Sequence, residues 1–469
     1  MGGRLVEKIR IVEIELPEDK TIDNYVEITA LQYQDRLNLV RNAMEERKLD
    51  FLVIYGDREH FANLHYLTGY DPRFEESILV VPKRGTPYLL VGNEGLGYKD
   101  IAKLPAEIVL FQTFSLMGQP RDKSDSLESV LKDTGIKKGS KIGLVGTKYF
   151  EEKEFHSPSY KIDVPSFITD VVRSLAGYEN VVNQTDIFMH PERGLRTFLS
   201  AEDIAAFESA SCIVYSGVRR LLLGLREGIS EYEAAGLLAY AGFPPLSCHI
   251  TVGFGKNALL GLSSPSPFRK LDLGEYINFG FGVWGANIAR AGLAAEDEKH
   301  FPYSASNILQ ELYFPYFKMM TKWYESLKIG TDGNSVYNTV KEFVENLDNG
   351  VSLNPGHLIH NDEWLNSPFY DGSRDILHSG MAIQCDIISA PGSPLFGVHV
   401  EDGLVLADES LRNELRKKFP NTSARFESRR DFMKQKLGIE ISDEVLPMSD
   451  IQACLAPFMM SPGKVLAWI

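Results

Sequence analysis

The sequence predicts two folded domains, an α/β domain followed by an α+β domain, with a short extension at each end. Three observations carry this expectation. The 469 residues amount to roughly three typical domain lengths. In the first half a helix-spaced apolar stripe leads into short β-rich runs separated by Gly and Pro, the pattern of an α/β layer. In the second half helix-spaced segments come first and β-rich segments follow, as when helices pack on a mainly antiparallel sheet.

Residues 1–30 read as an N-terminal extension, charged and in part strand-like. The first domain spans 31–190. It opens on "YQDRLNLVRNAMEERKLD", where Tyr33, Leu37, Val40 and Met44 share one helical face. "FLVIYG", "ESILVVP", "PYLLVG" and "KIGLVG" then read as strands. The second domain spans 191–410. Ser200 with Asp203 forms an N-cap pair. Ile204, Phe207, Ala210, Val214, Val218 and Leu221 keep helical spacing after it. In "REGIS", Gly228 ends that helix, and Ser230 with Glu233 makes the capping box of a second one. Two long helices are therefore expected. The strands that follow are "EYINFGFGVWG", "MAIQCDIIS" and "HVEDGLVLAD". Residues 411–469 read as a helical extension. Its apolar end carries Phe458, Met459, Met460 and Trp468, suited to cover a dimer seam or its own domain.

Hydrophobic residues at 44 % and charged residues at 24 % are ordinary globular values, enough for a large core. The formal net charge of −15 argues against nucleic acid and anionic membranes, which need a basic face. No run of 18 apolar residues predicts a transmembrane helix, and the first twenty residues lack the apolar centre of a signal peptide. Four scattered cysteines fit neither a disulfide scaffold nor a CxxC zinc site, so a soluble cytoplasmic protein with reduced thiols is expected.

The densest polar stretch is "NPGHLIHNDEW", 354–364, with His357, His360, Asp362 and Glu363. Taken alone it reads as a polar loop, its two acids facing solvent. Two later segments change the reading. "HSGMAIQCDIIS" is followed closely by "GVHVEDGLVLADE". With the "LREGISE" junction and the N-terminal stretch from "YQDRLNLV" to "PYLLVG", this order resembles the creatinase / aminopeptidase P / prolidase family over roughly residues 31–410. The resemblance implies a creatinase-like α/β N-terminal domain, an α+β pita-bread C-terminal domain and a homodimer. It also implies two divalent cations held by two aspartates, one histidine and two glutamates.

Carried over position by position, the family's metal histidine falls on His357. Its first glutamate falls on Asp386, and its second on Glu401. The aspartates do not carry over: Asn278 and Asn287 stand there, and no carboxylate lies in "NFGFGVWGANIARAG". Two cations would bring about +4 of charge against about −2 from Asp386 and Glu401, a surplus that a buried cleft solvates poorly. The expected cofactor is therefore none, or a single zinc or manganese ion on His357, Asp386 and Glu401. Without a cation, His357 can serve as general base while the two acids bind an ammonium or guanidinium group. His360, Asn278, Asn287 and Arg290 are the candidate substrate-binding residues. Arg290 has an alternative role as ion-pair partner of Glu401 or Asp402. Cys385, next to Asp386, should point into the core.

Two functions follow from the resemblance. One is an Xaa-Pro aminopeptidase- or creatinase-like hydrolase that cuts a C–N bond in a small peptide or amidino compound, with weak, mononuclear or no metal dependence. The other is a non-catalytic binding protein that keeps the pocket. A standard dinuclear Xaa-Pro aminopeptidase stands third.

Overall fold

The computed structural model describes residues 8–19 and 25–469. The chain forms two compact units. One is Ile28–Arg196, and the other joins the residues before Ile28 to Thr197–Ile469. Strand β1 (Ile9–Glu13) belongs to the latter unit.

The Ile28–Arg196 unit is a six-stranded mixed sheet between helices. Its strands are β2 (Phe51–Gly56), β3 (Ser77–Pro82), β4 (Tyr88–Val91), β5 (Glu107–Leu110), β6 (Ile142–Val145) and β7 (Val181–Asn183). Their order is β5-β4-β3-β2-β6-β7. The helix Ala30–Glu46 starts at a capping box made by Thr29 and Gln32, and buries Tyr33, Leu37, Val40 and Met44. Those four side chains pack on one face of the sheet with Leu52, Ile54, Leu79 and Val81. Val53, Ile78, Val80 and Leu144 fill the other face, so successive strand residues serve opposite cores. This burial on both faces is why the strands read as continuous apolar runs.

The other unit is built on an eight-stranded antiparallel sheet. Its strands are β8 (Thr251–Phe254), β9 (Tyr276–Val283), β10 (Ala286–Leu293), β11 (His357–Leu358), β12 (Ala382–Gln384), β13 (Ser389–Gly392), β14 (Phe396–Leu406) and β15 (Val445–Pro447). The main path runs β11-β12-β14-β10-β9-β8, and β13 and β15 pair with β14. The long helix Ala201–Gly224 starts at the Ser200–Asp203 capping box.

Three expectations are corrected here. The second helix exists with its Ser230–Glu233 capping box, but spans only Glu231–Gly236. The first helix already stops at Gly224, and Gly228 instead makes a positive-φ turn whose N–H bonds the Leu271 carbonyl. The C-terminal segment is helical only through Glu409–Lys418 and Pro420–Lys436. It then returns as β15 and as β16 (Lys464–Trp468), which pairs antiparallel with β1. The N-terminal segment is thus a strand of this unit. Phe458 stacks on Phe301, and Trp468 donates to the Thr321 hydroxyl, so the apolar end covers its own unit. No described helix is long and apolar enough to cross a membrane.

Candidate active site

Cross-strand partners in a sheet share a face, so register alone assembles most of the site. His357 pairs with Gln384, Gln384 with Gly403, and Asn287 with Gly282. One step along, Glu401 pairs with Ala289, and Ala289 with Gly280. Asp386 lies two residues beyond Gln384, on the same side. The approach to His357 requires a glycine. Gly356 has φ +99°, and a Cβ there would meet the Gln384 carbonyl oxygen at 2.7 Å. Its N–H donates to the Asp386 carbonyl at 2.9 Å, tying the two segments together. The buried Tyr316 hydroxyl donates to the Ile387 carbonyl and accepts from Val400 N–H, fixing the backbone beside Asp386 and Glu401.

The result is a buried convergence of ligating atoms. The side chain of His357 is fully buried, and those of Asp386 and Glu401 nearly so. Their ligating atoms all lie within 4.8 Å of one another, the one such group of three or more among the described residues. His357 Nδ1 lies 3.2 Å from the Leu358 carbonyl. That bond holds the proton on Nδ1 and leaves the Nε2 lone pair facing the acids. Asp386 Oδ2 is 3.7 Å and Glu401 Oε1 4.0 Å from Nε2.

Several residues around these three were not expected. Glu363 does not face solvent as its place in a polar loop suggests. Instead it turns inward, with Oε1 3.2 Å from His357 Nε2 and the side chain 26 % exposed. Trp364 stacks on the His357 ring at 4.2 Å between centroids. His399 Nε2 is 2.8 Å from Asp386 Oδ1 and 3.7 Å from Glu401 Oε2. The missed signal for His399 was simple: it stands two residues before Glu401 on one strand, hence on the same face. Glu401 Oε1 accepts the Asn287 amide at 2.9 Å and the Gln384 amide at 3.0 Å.

The electrostatics follow from burial and crowding. Burial, then the charges of Asp386 and Glu363, pushes Glu401 well above the usual carboxylate range. Asp386 is also opposed by burial, but its bond to His399 and the two imidazoles carry it below that range. Burial pulls His357 down, and the Glu363 and Asp386 carboxylates outweigh it, so its net shift is upward.

Asn287 joins the cluster through its bond to Glu401. Three other candidates do not. Asn278 pairs with Ala291 and Gly253, four residues along β9 from Gly282, which faces Asn287. At strand rise that is roughly 13 Å from Asn287's row. Arg290 is committed to the other face of the sheet. It donates to both Asp402 oxygens at 2.9 Å and to the Glu401 carbonyl at 2.7 Å, which is the ion-pair role. His360 packs edge-on against Phe207 of the long helix, and its carbonyl accepts the Gly285 N–H. Alternation along the chain explains this, since His360 is three residues from His357 and points the other way. Cys385 is buried as expected.

The donor set fits one divalent cation. The Nε2 atom of His357 is buried and makes no aligned hydrogen bond, although carboxylate oxygens surround it. Ligand distances near 2.1 Å place tetrahedral ligand atoms about 3.4 Å apart, the scale of the separations here. A dinuclear set does not fit: the residue opposite Asn287 is Gly282, and the β9–β10 hairpin carries no carboxylate.

Residues 36–157 match the creatinase/prolidase N-terminal domain. Among solved structures, an Xaa-Pro dipeptidase from Bacillus anthracis matches with TM-score 0.59 at 16 % identity, covering 81 % of this chain and 96 % of its own. A prolidase from Thermococcus sibiricus matches with TM-score 0.62 at 18 % identity, covering 80 % and 95 %. An X-Pro aminopeptidase from Thermotoga maritima matches with TM-score 0.60 at 18 % identity, also covering 80 % and 95 %. No curated protein sequence matches this one. Residues 36–157 are thus a creatinase/prolidase N-terminal domain, and the chain shares the two-domain fold of these solved structures.

Proposed function

We infer that this protein is a hydrolase that cuts a C–N bond in a short peptide or small amidino compound, with at most one divalent cation. The observation that carries the reading is the convergence of Asp386 and Glu401 on the buried lone pair of His357. A zinc or manganese ion held there would supply Lewis-acid polarisation of the scissile carbonyl and activation of water. The chain's own residues do the rest. Asp386, oriented by His399, holds the negative charge that anchors the cation or a substrate ammonium group. Glu401 holds the mobile proton. Its Oε1 is taken by two amides, so Oε2 is the atom that accepts a proton from water and returns it to the leaving nitrogen. Asn287 fixes the Glu401 carboxyl. A homodimer is part of the proposal, and light scattering in solution checks it.

A second reading has one specific observation in its favour. Glu363 and Trp364 rest against His357, and amides already occupy Glu401, so the cluster is partly self-satisfied, as in a binding pocket. One experiment separates the readings. The purified chain is incubated with Xaa-Pro dipeptides, Xaa-Pro tripeptides and creatine-like amidino compounds, in Zn2+, Mn2+ or chelator, and the released amine is measured. The expected outcome is hydrolysis that His357→Ala lowers at least about 100-fold, with the melting temperature little changed. Saturable binding of these compounds without release of amine from any of them overturns the hydrolase in favour of the binding protein.

A further inference from the structure

We propose that residues 361–364, the tip of the loop after β11, form a gate over the site, and that Glu363 latches it shut by pairing with His357. The inference rests on the hydrolase reading above and holds with or without a cation. As the chain stands, the site is sealed. His357, Gln384, Asn287, Asp386, His399 and Glu401 are each no more than 6 % exposed, and His357 Nε2 is closed off from solvent. Hydrolysis requires that atom to meet a cation or to take a proton from water at the substrate. A part of the wall must therefore move.

Two side chains against His357 themselves reach solvent. Glu363 keeps 26 % of its side chain exposed, and its Oε1, 3.2 Å from Nε2, is the nearest carboxylate oxygen to that atom. Trp364 is 38 % exposed and stacks on the imidazole at 4.2 Å between centroids. Together they stand between the imidazole and solvent.

The chain around them is a short tip between fixed ends. Before it, Ile359 N–H donates to the Ala382 carbonyl at 3.1 Å, and the His360 carbonyl accepts the Gly285 N–H at 3.0 Å. After it, Leu365 N–H donates to the Leu358 carbonyl at 2.8 Å. Ile359, His360 and Leu365 are buried, whereas the four residues between His360 and Leu365 are half-buried or exposed. A short segment with anchored ends can swing without disturbing the sheet, as lids do. Both contacts that close the tip over the site are made to one imidazole. A charge-assisted contact of this kind favours the closed form by roughly 10- to 100-fold. It also sets Glu363 in competition with a cation or substrate for Nε2, so opening the gate and loading the site are one event.

The test is access to His357. The full-length protein is labelled with diethyl pyrocarbonate at about pH 8, where ordinary imidazoles are neutral. The labelling rates of His357 and His360 are read separately by mass spectrometry of their shared peptide. His357 of wild type should label slowly. Glu363→Ala and Trp364→Ala should each speed it about 10-fold or more. His360, buried against Phe207, should stay slow in every variant, which separates gate opening from unfolding. Asp362→Asn, in the same tip, should change neither rate. For any compound above that wild type hydrolyses, Glu363→Ala should raise kcat/KM, whereas removal of a catalytic or ligating group would lower it. Wild-type His357 that labels as fast as free histidine, or a rate unchanged by both Glu363→Ala and Trp364→Ala, overturns the gate. Faster labelling with a lower kcat/KM in Glu363→Ala overturns the latch and places Glu363 in the reaction itself. If wild type hydrolyses none of the compounds, the hydrolase reading fails, and the labelling still decides whether the gate exists.

Discussion

At the scale of single residues, His399 is the side chain whose role is set most sharply by geometry. It touches Asp386 at 2.8 Å and sits near the free oxygen of Glu401, so it acts through the acids as a positioning residue. His399→Gln removes the imidazole from Asp386 while keeping a hydrogen-bonding side chain. We expect cation affinity or turnover to fall about 10- to 100-fold, as when other outer-shell partners are removed. Thermal unfolding in chelator should shift little, and a large loss of melting temperature with unchanged affinity would refute the positioning role. The same scale explains which site residues were legible. His357, Asp386 and Glu401, which the structure brings within 4.8 Å of one another, were legible because an ordered set of motifs names them. Glu363 was not, because whether a loop acid turns in or out depends on how the loop closes.

At the scale of elements, the β9–β10 hairpin decides how much charge the site can hold. Its site face carries Gly280, Gly282, Asn287 and Ala289, small or neutral residues that bring no ligand carboxylate. Its tip is set by Gly285, at φ +83° with Phe207 of the long helix packed where a Cβ would stand. Gly285→Ala must therefore adopt a left-handed conformation and displace Phe207. The expected cost is about 2–4 kcal/mol from strain and overpacking together, read by denaturant unfolding. Pairing it with Phe207→Ala should recover the packing share, and a double variant no better than the sum of the singles would refute the contact as the cause. Helix length was the poorest expectation at this scale. The capping box at Ser230 marks where a helix begins, and within 231–240 only Gly236, its last residue, hints at the early end. Tertiary contacts decide that.

At the scale of the whole molecule, pH acts on the Ile28–Arg196 unit through His65. Burial, together with the nearby charges of Arg36, Arg196 and Arg73, pushes this imidazole down to about 3. The folded unit keeps it neutral, whereas the unfolded chain takes up a proton below about 6.5. More protons bound in the unfolded state mean that stability falls as pH falls, over the window from about 6.5 towards about 3. Between pH 7 and 5 the loss should be about 1–2 kcal/mol, measured by urea unfolding. His65→Gln should flatten that slope, and an equal slope in the variant would assign the pH dependence to other groups.

Some features follow from local chemistry that the chain carries with it. Helical spacing placed the first helix, and β-rich runs placed β2, β3, β4, β6, β9, β12 and β14, but not β8 or the central β10. The ordered glycine–methionine and valine–acid–acid–glycine segments pointed to the fold and to three site residues. The asymmetry of charge, two retained acids against two amides, argues for one cation at most. Other features belong to contacts between residues far apart in sequence. β1 joins β16 across more than 450 positions, which made an apparent extension part of the larger unit. Strand register moved Asn278 away from Asn287 and turned Arg290 to the opposite face, because a slip of a single residue exchanges the two faces of a sheet. The closed loop after β11 brought Glu363 and Trp364 onto His357. Local sequence records which side chains are available, and only the three-dimensional pairing of strands and loops decides which of them meet.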